Sequence, residues 1–257
     1  MREHLKSAIG RTTATLMPQC QYRNCIFILA HMRCGSTALS NILCSRPDVN
    51  GYGEAHIRYK SREALGRLVV NQALRGGWAP GSKYLFDKLL HSRHDAEAPP
   101  AFFQARAIFV ARRPKPAIRS IRKLYDGLGR DEYGTDSAAA AYYVERVNRL
   151  VELWKDFPAD RRVGLTHSDL IGDPEAQLAR ISSALSLHPP LENRYESPSA
   201  SRKGGGGDPT ASGKFTRIEK RADDLARDEA IDLDIPPELE AAVTQAYERF
   251  VTTVSGT

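Results

Sequence analysis

The run CIFILA at Cys25–Ala30 is six consecutive residues with no charged or amide side chain. It is too short for a buried helix and does not alternate with polar residues, so both of its faces must be covered. A strand covered on both faces belongs in a parallel sheet with helices above and below it. Further strand signals lie at 83–89, 107–111 and 162–166, and helical periodicity over Ser36–Cys44, 62–74, 114–125, 137–157 and 174–187 alternates with them. The β-then-α order recurs at least three times, so the chain is expected to fold as α/β, a central parallel sheet flanked by helices on both faces. One domain, 1–257, suffices for a chain of 257 residues. Ligands of such sheets collect beyond the carboxyl ends of the strands, which directs attention to the turns after CIFILA and AIFVA.

The formal charge of +6 favours anionic partners without specifying fold or chemistry. All four cysteines, Cys20, Cys25, Cys34 and Cys44, fall in the first fifth of the chain, unlike the spread of a disulfide framework. A second CxxC or HxxxH pair is lacking, and no metal is expected. No signal-peptide core and no run of about 20 apolar residues is present, so a soluble, cytoplasmic protein without a membrane partner is expected. Residues 196–213, ESPSASRKGGGGDPTASG, read as a mobile loop. The tail 236–251 reads as a helix with Leu239, Val243, Ala246, Tyr247 and Phe250 on its packed side.

Directly after CIFILA comes HMRCGST. A backbone that turns tightly from a strand into a helix points N–H groups at one spot, where the helix dipole adds positive charge. Gly35 permits close approach, Ser36 and Thr37 add hydroxyls, and Arg33 adds a fixed cation. The turn lacks the first glycine and the lysine of GxxxxGK[ST], so an ordinary nucleoside triphosphatase is disfavoured. The stretch 106–124 then holds seven Lys or Arg and no acid, with Arg112 directly after a strand and Ser120 within the next helix.

These residues resemble the sulfotransferases that use 3'-phosphoadenosine 5'-phosphosulfate (PAPS), in the arginine-bearing form RxGST: Arg33, Gly35, Ser36 and Thr37. The resemblance covers about residues 25–215 and implies a P-loop-like sheet. It places Arg33 at the phosphosulfate bridge, with the backbone from Cys34 to Thr37 around the 5'-phosphate. It assigns the 3'-phosphate to Arg112 and Ser120, in a pattern like RxPxxxxxS, with Arg113 a supporting charge. RKGGGGD, with Arg202, Lys203 and Gly204, is similar to the segment that closes over the cofactor; the aromatic expected after it is displaced to Phe215. Tyr142 or Tyr143 is the candidate near adenine, since position 38 is Ala where cytosolic members place a stacking Trp.

Two groups compete as the catalytic base. Glu54 lies in a GE turn like that of arginine-type members and is favoured; His91 follows Lys88 in a segment similar to the KTH of cytosolic members. Lys88 is a second cation for the leaving oxygen, oriented by Asp87. The expected activity is transfer of a sulfuryl group from PAPS to a hydroxyl or amine of a small-molecule or carbohydrate acceptor, with residues 54–60, 91–103 and 126–137 lining the acceptor pocket. A P-loop nucleotide kinase, or a non-catalytic nucleotide- or nucleic-acid-binding protein, stands as the alternative; no nucleic-acid partner is expected under the leading reading.

Overall fold

A computed structural model describes residues 2–196 and 215–255. Its five strands are β1 Cys25–Ala30, β2 Val49–Asn50, β3 Tyr84–Leu89, β4 Arg106–Ala111 and β5 Arg162–Thr166. They form one sheet in the order β2-β3-β1-β4-β5, every pair parallel. In the central ladders Ile28 lies opposite Lys88 of β3 and Ile108 of β4, and Phe109 lies opposite Gly164 of β5. Every residue of β1 and β3 is buried, the two-sided cover that the apolar run of β1 requires, and in β3 it extends to Asp87 and Lys88.

The described helices are α1 Arg2–Leu16, α2 Ser36–Cys44, α3 Glu63–Leu74, α4 Pro114–Gly127, α5 Asp136–Trp154, α6 His167–Gly172, α7 Pro174–Ala184, α8 Leu225–Glu229 and α9 Pro237–Ser255. They make the chain a P-loop-like α/β fold, with helices around a parallel sheet. None is long and apolar enough to cross a membrane.

Besides the short helices α6 and α8, two elements go beyond the expectation. β2 is only two residues long and has no pattern to detect. α1 packs on α3 through small residues, for a Cβ on Gly66 would meet the Gly10 carbonyl oxygen at 1.9 Å. The helix expected over 137–157 ends at Trp154, and Phe157 turns into the core against Phe102, Phe103 and Phe109.

One buried cation ties α5 to the sheet. Arg146 is 0% exposed and donates to the Ala30 carbonyl at 3.0 Å, to the Leu89 carbonyl at 2.8 Å and to Asp95 at 2.7 Å. The ends of β1 and β3 are thereby held at a fixed separation, and the turns that follow them form the floor of a cleft.

Candidate active site

β1 delivers the chain to His31, and the turn to α2 uses two left-handed residues, Arg33 at φ 64° and Gly35 at φ 87°. Gly35 is required twice. Its φ is disfavoured for any side chain, and a Cβ there would lie 2.9 Å from Cδ2 of His167 at the start of α6. Arg33 has no such exemption; it is held by donating Nε to Ser120 Oγ at 2.9 Å. That bond brings the first turn against α4, 87 residues away in sequence.

The turn after β4 is bolted to the turn after β1. Arg112 N–H donates to His31 Nε2 at 2.9 Å, while His31 Nδ1 donates to the Met32 carbonyl at 2.7 Å, which sets the tautomer. Burial pushes the His31 pKa down to about 3, so the ring stays a neutral bridge. The Arg112 guanidinium donates to the Arg33 carbonyl at 3.3 Å. Tyr142 of α5 accepts from Met32 N–H at 2.9 Å and donates to the Leu90 carbonyl at 2.7 Å; Tyr143 donates to the Arg112 carbonyl at 2.7 Å. Both rings are buried and neither lines the cleft, so the adenine role considered for them gives way to one of holding backbone.

The resulting cleft has a volume of about 650 Å³. Arg33, Gly35, Ser36, Thr37 and Arg112 line one part of it, and Glu54, Lys88 and His91 another. The N-termini of α2 and α4 have no side-chain cap, whereas Thr135, Thr166 and Asp173 cap α5, α6 and α7. The uncapped first-turn N–H groups of α2 beside Arg33 are a fitting cradle for a phosphate group, while at the start of α4, where Pro114 and Pro116 carry no N–H, the positive charge comes from Arg112. Cys34 is fully buried behind the turn, so its thiol adds nothing to that surface. Arg113 points elsewhere: it pairs with Asp223, and with Asp228 at 3.0 Å, which removes it as a supporting charge.

At the other part, the GYGEAH turn is clipped to β3 on both sides of Glu54. Lys88 N–H donates to the Gly53 carbonyl at 3.2 Å, and Ala55 N–H to Asp87 Oδ1 at 2.8 Å. Asp87 also accepts from Tyr59 at 2.6 Å and from Lys88 N–H at 2.8 Å; burial is the main cause that pushes its pKa up to about 7. Its bonds therefore orient the Glu54 turn, where the sequence pointed to the Lys88 ammonium. Lys88 Nζ donates to Thr37 Oγ1 at 3.4 Å and so reaches the first turn.

Glu54 is buried, with Oε1 at 3.2 Å from His56 Nδ1 and no well-aligned hydrogen bond to that oxygen. Burial favours the neutral acid, but His56, Lys88 and His91 outweigh it and hold the pKa below the ordinary carboxyl value. His56, strained at φ 54°, has its pKa raised by Glu54. His91 is also buried, its pKa pushed down to about 4 by burial first and Arg93 second.

Of the expected acceptor segments, 54–60 contributes Glu54 and His56, 126–137 contributes Leu128 and Arg130, and 91–103 contributes His91. Phe102 from the last segment is instead a core residue stacked on Phe27 at 4.8 Å. Sequence reading missed His167, Leu170 and Ile171 of α6 and Arg217 and Arg221 beyond it, all of which line the cleft. The available signal was the position of α6 directly after β5, at the carboxyl edge of the sheet. Arg202, Lys203 and Gly204 lie outside the described residues; Phe215, just after them, lines the cleft.

A sequence model of the sulfotransferase family matches residues 61–190, half of the chain. The chain belongs to the sulfotransferase family and is a sulfotransferase. The sulfotransferase domain of the olefin synthase from Synechococcus PCC 7002 superposes with a TM-score of 0.61 at 22% identity, over 88% of this chain and 94% of that one. The sulfotransferase domain from the curacin biosynthetic pathway gives 0.58 at 17% identity, over 86% and 96%. The mouse sulfotransferase SULT7A1, complexed with PAP (the desulfated form of PAPS), gives 0.51 at 12% identity, over 96% and 89%. No curated protein sequence matches this chain.

Proposed function

We propose that the protein transfers a sulfuryl group from PAPS to a hydroxyl, or an amine, of a small-molecule or carbohydrate acceptor. The observation that carries this reading is the linked pair of cationic turns: Arg33 bonded to Ser120, and Arg112 bonded to the Arg33 carbonyl, beside the uncapped N-terminus of α2. The bound PAP of the mouse relative supports the choice of donor.

PAPS would supply the sulfuryl group and a stabilised leaving phosphate. The backbone from Cys34 to Thr37, with Arg33, would hold its 5' end, and Arg112 with Ser120 its 3'-phosphate; Arg202, Lys203 and Gly204 would close over it. The acceptor oxygen forms its bond to sulfur as the bond from sulfur to the bridging oxygen breaks, and the electron pair leaves with that oxygen. Arg33 and Lys88 stabilise the charge that develops there. Glu54 takes the acceptor proton, and His56, whose Nδ1 lies 3.2 Å from Oε1, favours its ionised form. His91, neutral near pH 7, orients the acceptor. Base catalysis of this kind contributes about 10²- to 10⁴-fold, and alignment the larger share.

A thermal-shift comparison of PAP with ATP and AMP tests the donor. Stabilisation by PAP beyond that by ATP or AMP is expected, about 2.7 kcal/mol at 100 times the dissociation constant. Magnesium-dependent ATP turnover, or equal stabilisation by all three, would overturn the reading. Arg33→Ala is expected to abolish sulfuryl transfer while circular dichroism shows the fold retained.

A further inference from the structure

Resting on the sulfuryl-transfer reading above, we infer that the acceptor is an amphiphile: a hydroxyl carried on an apolar body that ends in an anionic group such as a carboxylate. The polar side chains for the reaction, Glu54, His56 and His91, gather at the end of β3. Past Ser120, which does not itself line the cleft, α4 turns an apolar surface to it. Leu124, Tyr125 and Leu128 are spaced to share one helix face, and they line the cleft together with Met32 and Leu90. The Tyr125 hydroxyl is already directed at Met32 Sδ, 3.8 Å away. Leu128 is 48% exposed, a large apolar residue open to water at the edge of that wall. A sugar would need fixed donors and acceptors along this face, and would leave the leucines against its hydroxyls.

A cation stands beyond the leucines. Gly129, at φ 61°, reverses the chain after α4, and Arg130 N–H donates to the Tyr125 carbonyl at 3.0 Å, which fixes Arg130 on the cleft wall. Two of the neighbouring acids are directed at other cations, Asp126 at Arg122 and Glu132 at Arg93, while Asp131, next in the chain, is exposed and makes no ion pair with a described residue. The Arg130 guanidinium forms no hydrogen bond or ion pair with any described residue. Donors, apolar wall and a guanidinium without a described partner therefore line a single cleft, the complement of a hydroxyl, an apolar body and an anion.

The test uses the full chain with PAPS and three kinds of acceptor: hydroxyalkanoic acids of graded length, their methyl esters, and a methyl glucoside, with PAP thermal shift run on every variant. The acids are expected to exceed their esters in kcat/KM by about three- to tenfold, mainly through KM, as befits a partly exposed charge-assisted contact. Arg130→Ala should bring the acid-to-ester ratio close to one, and Arg130→Glu should invert it, with an amine-ended alcohol now preferred. A wild-type enzyme that treats acid and ester alike, prefers the glucoside, or turns over no acid while PAP still stabilises it overturns the amphiphile and leaves sulfuryl transfer standing. Absence of PAP stabilisation removes the donor reading, and the acceptor class with it.

Discussion

At Glu54 the decisive quantity is the balance between burial and neighbouring charge. Burial raises the pKa of this carboxyl, and His56 is the first of the groups that reverse the effect. With His56 present the base is ionised above a pKa that lies below the ordinary value, and activity should fall only as pH drops through that low pKa. His56→Ala removes the largest opposing influence, so the acidic limb of kcat/KM against pH should move upward, while Glu54→Gln should lose about 10²- to 10⁴-fold at every pH. An acidic limb unmoved in His56→Ala would mean that the histidine does not set the protonation of Glu54. Gly35 answers to sterics instead of charge. Gly35→Ala puts a methyl group into a left-handed backbone and 2.9 Å from His167, at a cost of about 1–2 kcal/mol in φ alone. Thermal denaturation should report a lower Tm, and calorimetric titration with PAP a weaker complex, because the strain falls in the turn that binds the donor.

The turns that make the site are positioned by α5, and there the cost of a lost hydroxyl can be counted in stranded partners. Tyr142→Phe leaves both Met32 N–H and the Leu90 carbonyl without their bond, whereas Tyr143→Phe leaves only the Arg112 carbonyl. At about 1–3 kcal/mol for each stranded buried group, Tyr142→Phe should lower the urea midpoint further than Tyr143→Phe; equal midpoints would mean that water replaces the missing hydroxyl. This is also where the sequence stopped being legible. β1 and β4 were readable because an apolar run covered on both faces has no other home, β3 and β5 as shorter apolar stretches in the β-then-α order, and Arg33 and Arg112 because cations close after strands point to anions. The two tyrosines were readable only as part of a helix, since their partners lie 110, 52 and 31 residues away. Arg113 and Arg112 are adjacent in the chain, and nothing local tells which of them turns to Asp223 and Asp228 and which to the cleft. α1 was unreadable because it buries itself against α3 through glycines, which leave no periodic apolar signature.

Across the whole molecule, charge is distributed so that much of the basic sequence around α4 is paired within the fold, with Arg119 and Lys123 left exposed. Arg113 pairs with Asp223 and Asp228, Lys115 is 3.5 Å from Glu240, and Arg122 is 3.4 Å from Asp136. Arg146 shows the same economy in the interior, where its ion pair with Asp95 has no exposure on either side. Arg146→Met should cost about 3–5 kcal/mol in chemical denaturation, since Asp95 would then keep only Arg149, and a second change, Asp95→Leu, should recover part of the loss. The charge offered to a ligand in the cleft sits on partly covered groups, where Arg112 is half-buried and Lys88 buried. Partly buried charges are screened less by salt than exposed ones. The dissociation constant for PAP should therefore rise no more than about tenfold between ~50 and ~500 mM salt, if a few contacts of this kind carry it. Nucleic acid held by a basic track would lose about 10³-fold or more over a narrower range, because each phosphate contact releases a counterion. Titration of PAP and of a single-stranded oligonucleotide over the same salt series separates the two behaviours. A steep slope for the oligonucleotide with submicromolar affinity at low salt, undisplaced by PAP, would restore a nucleic-acid role to this chain.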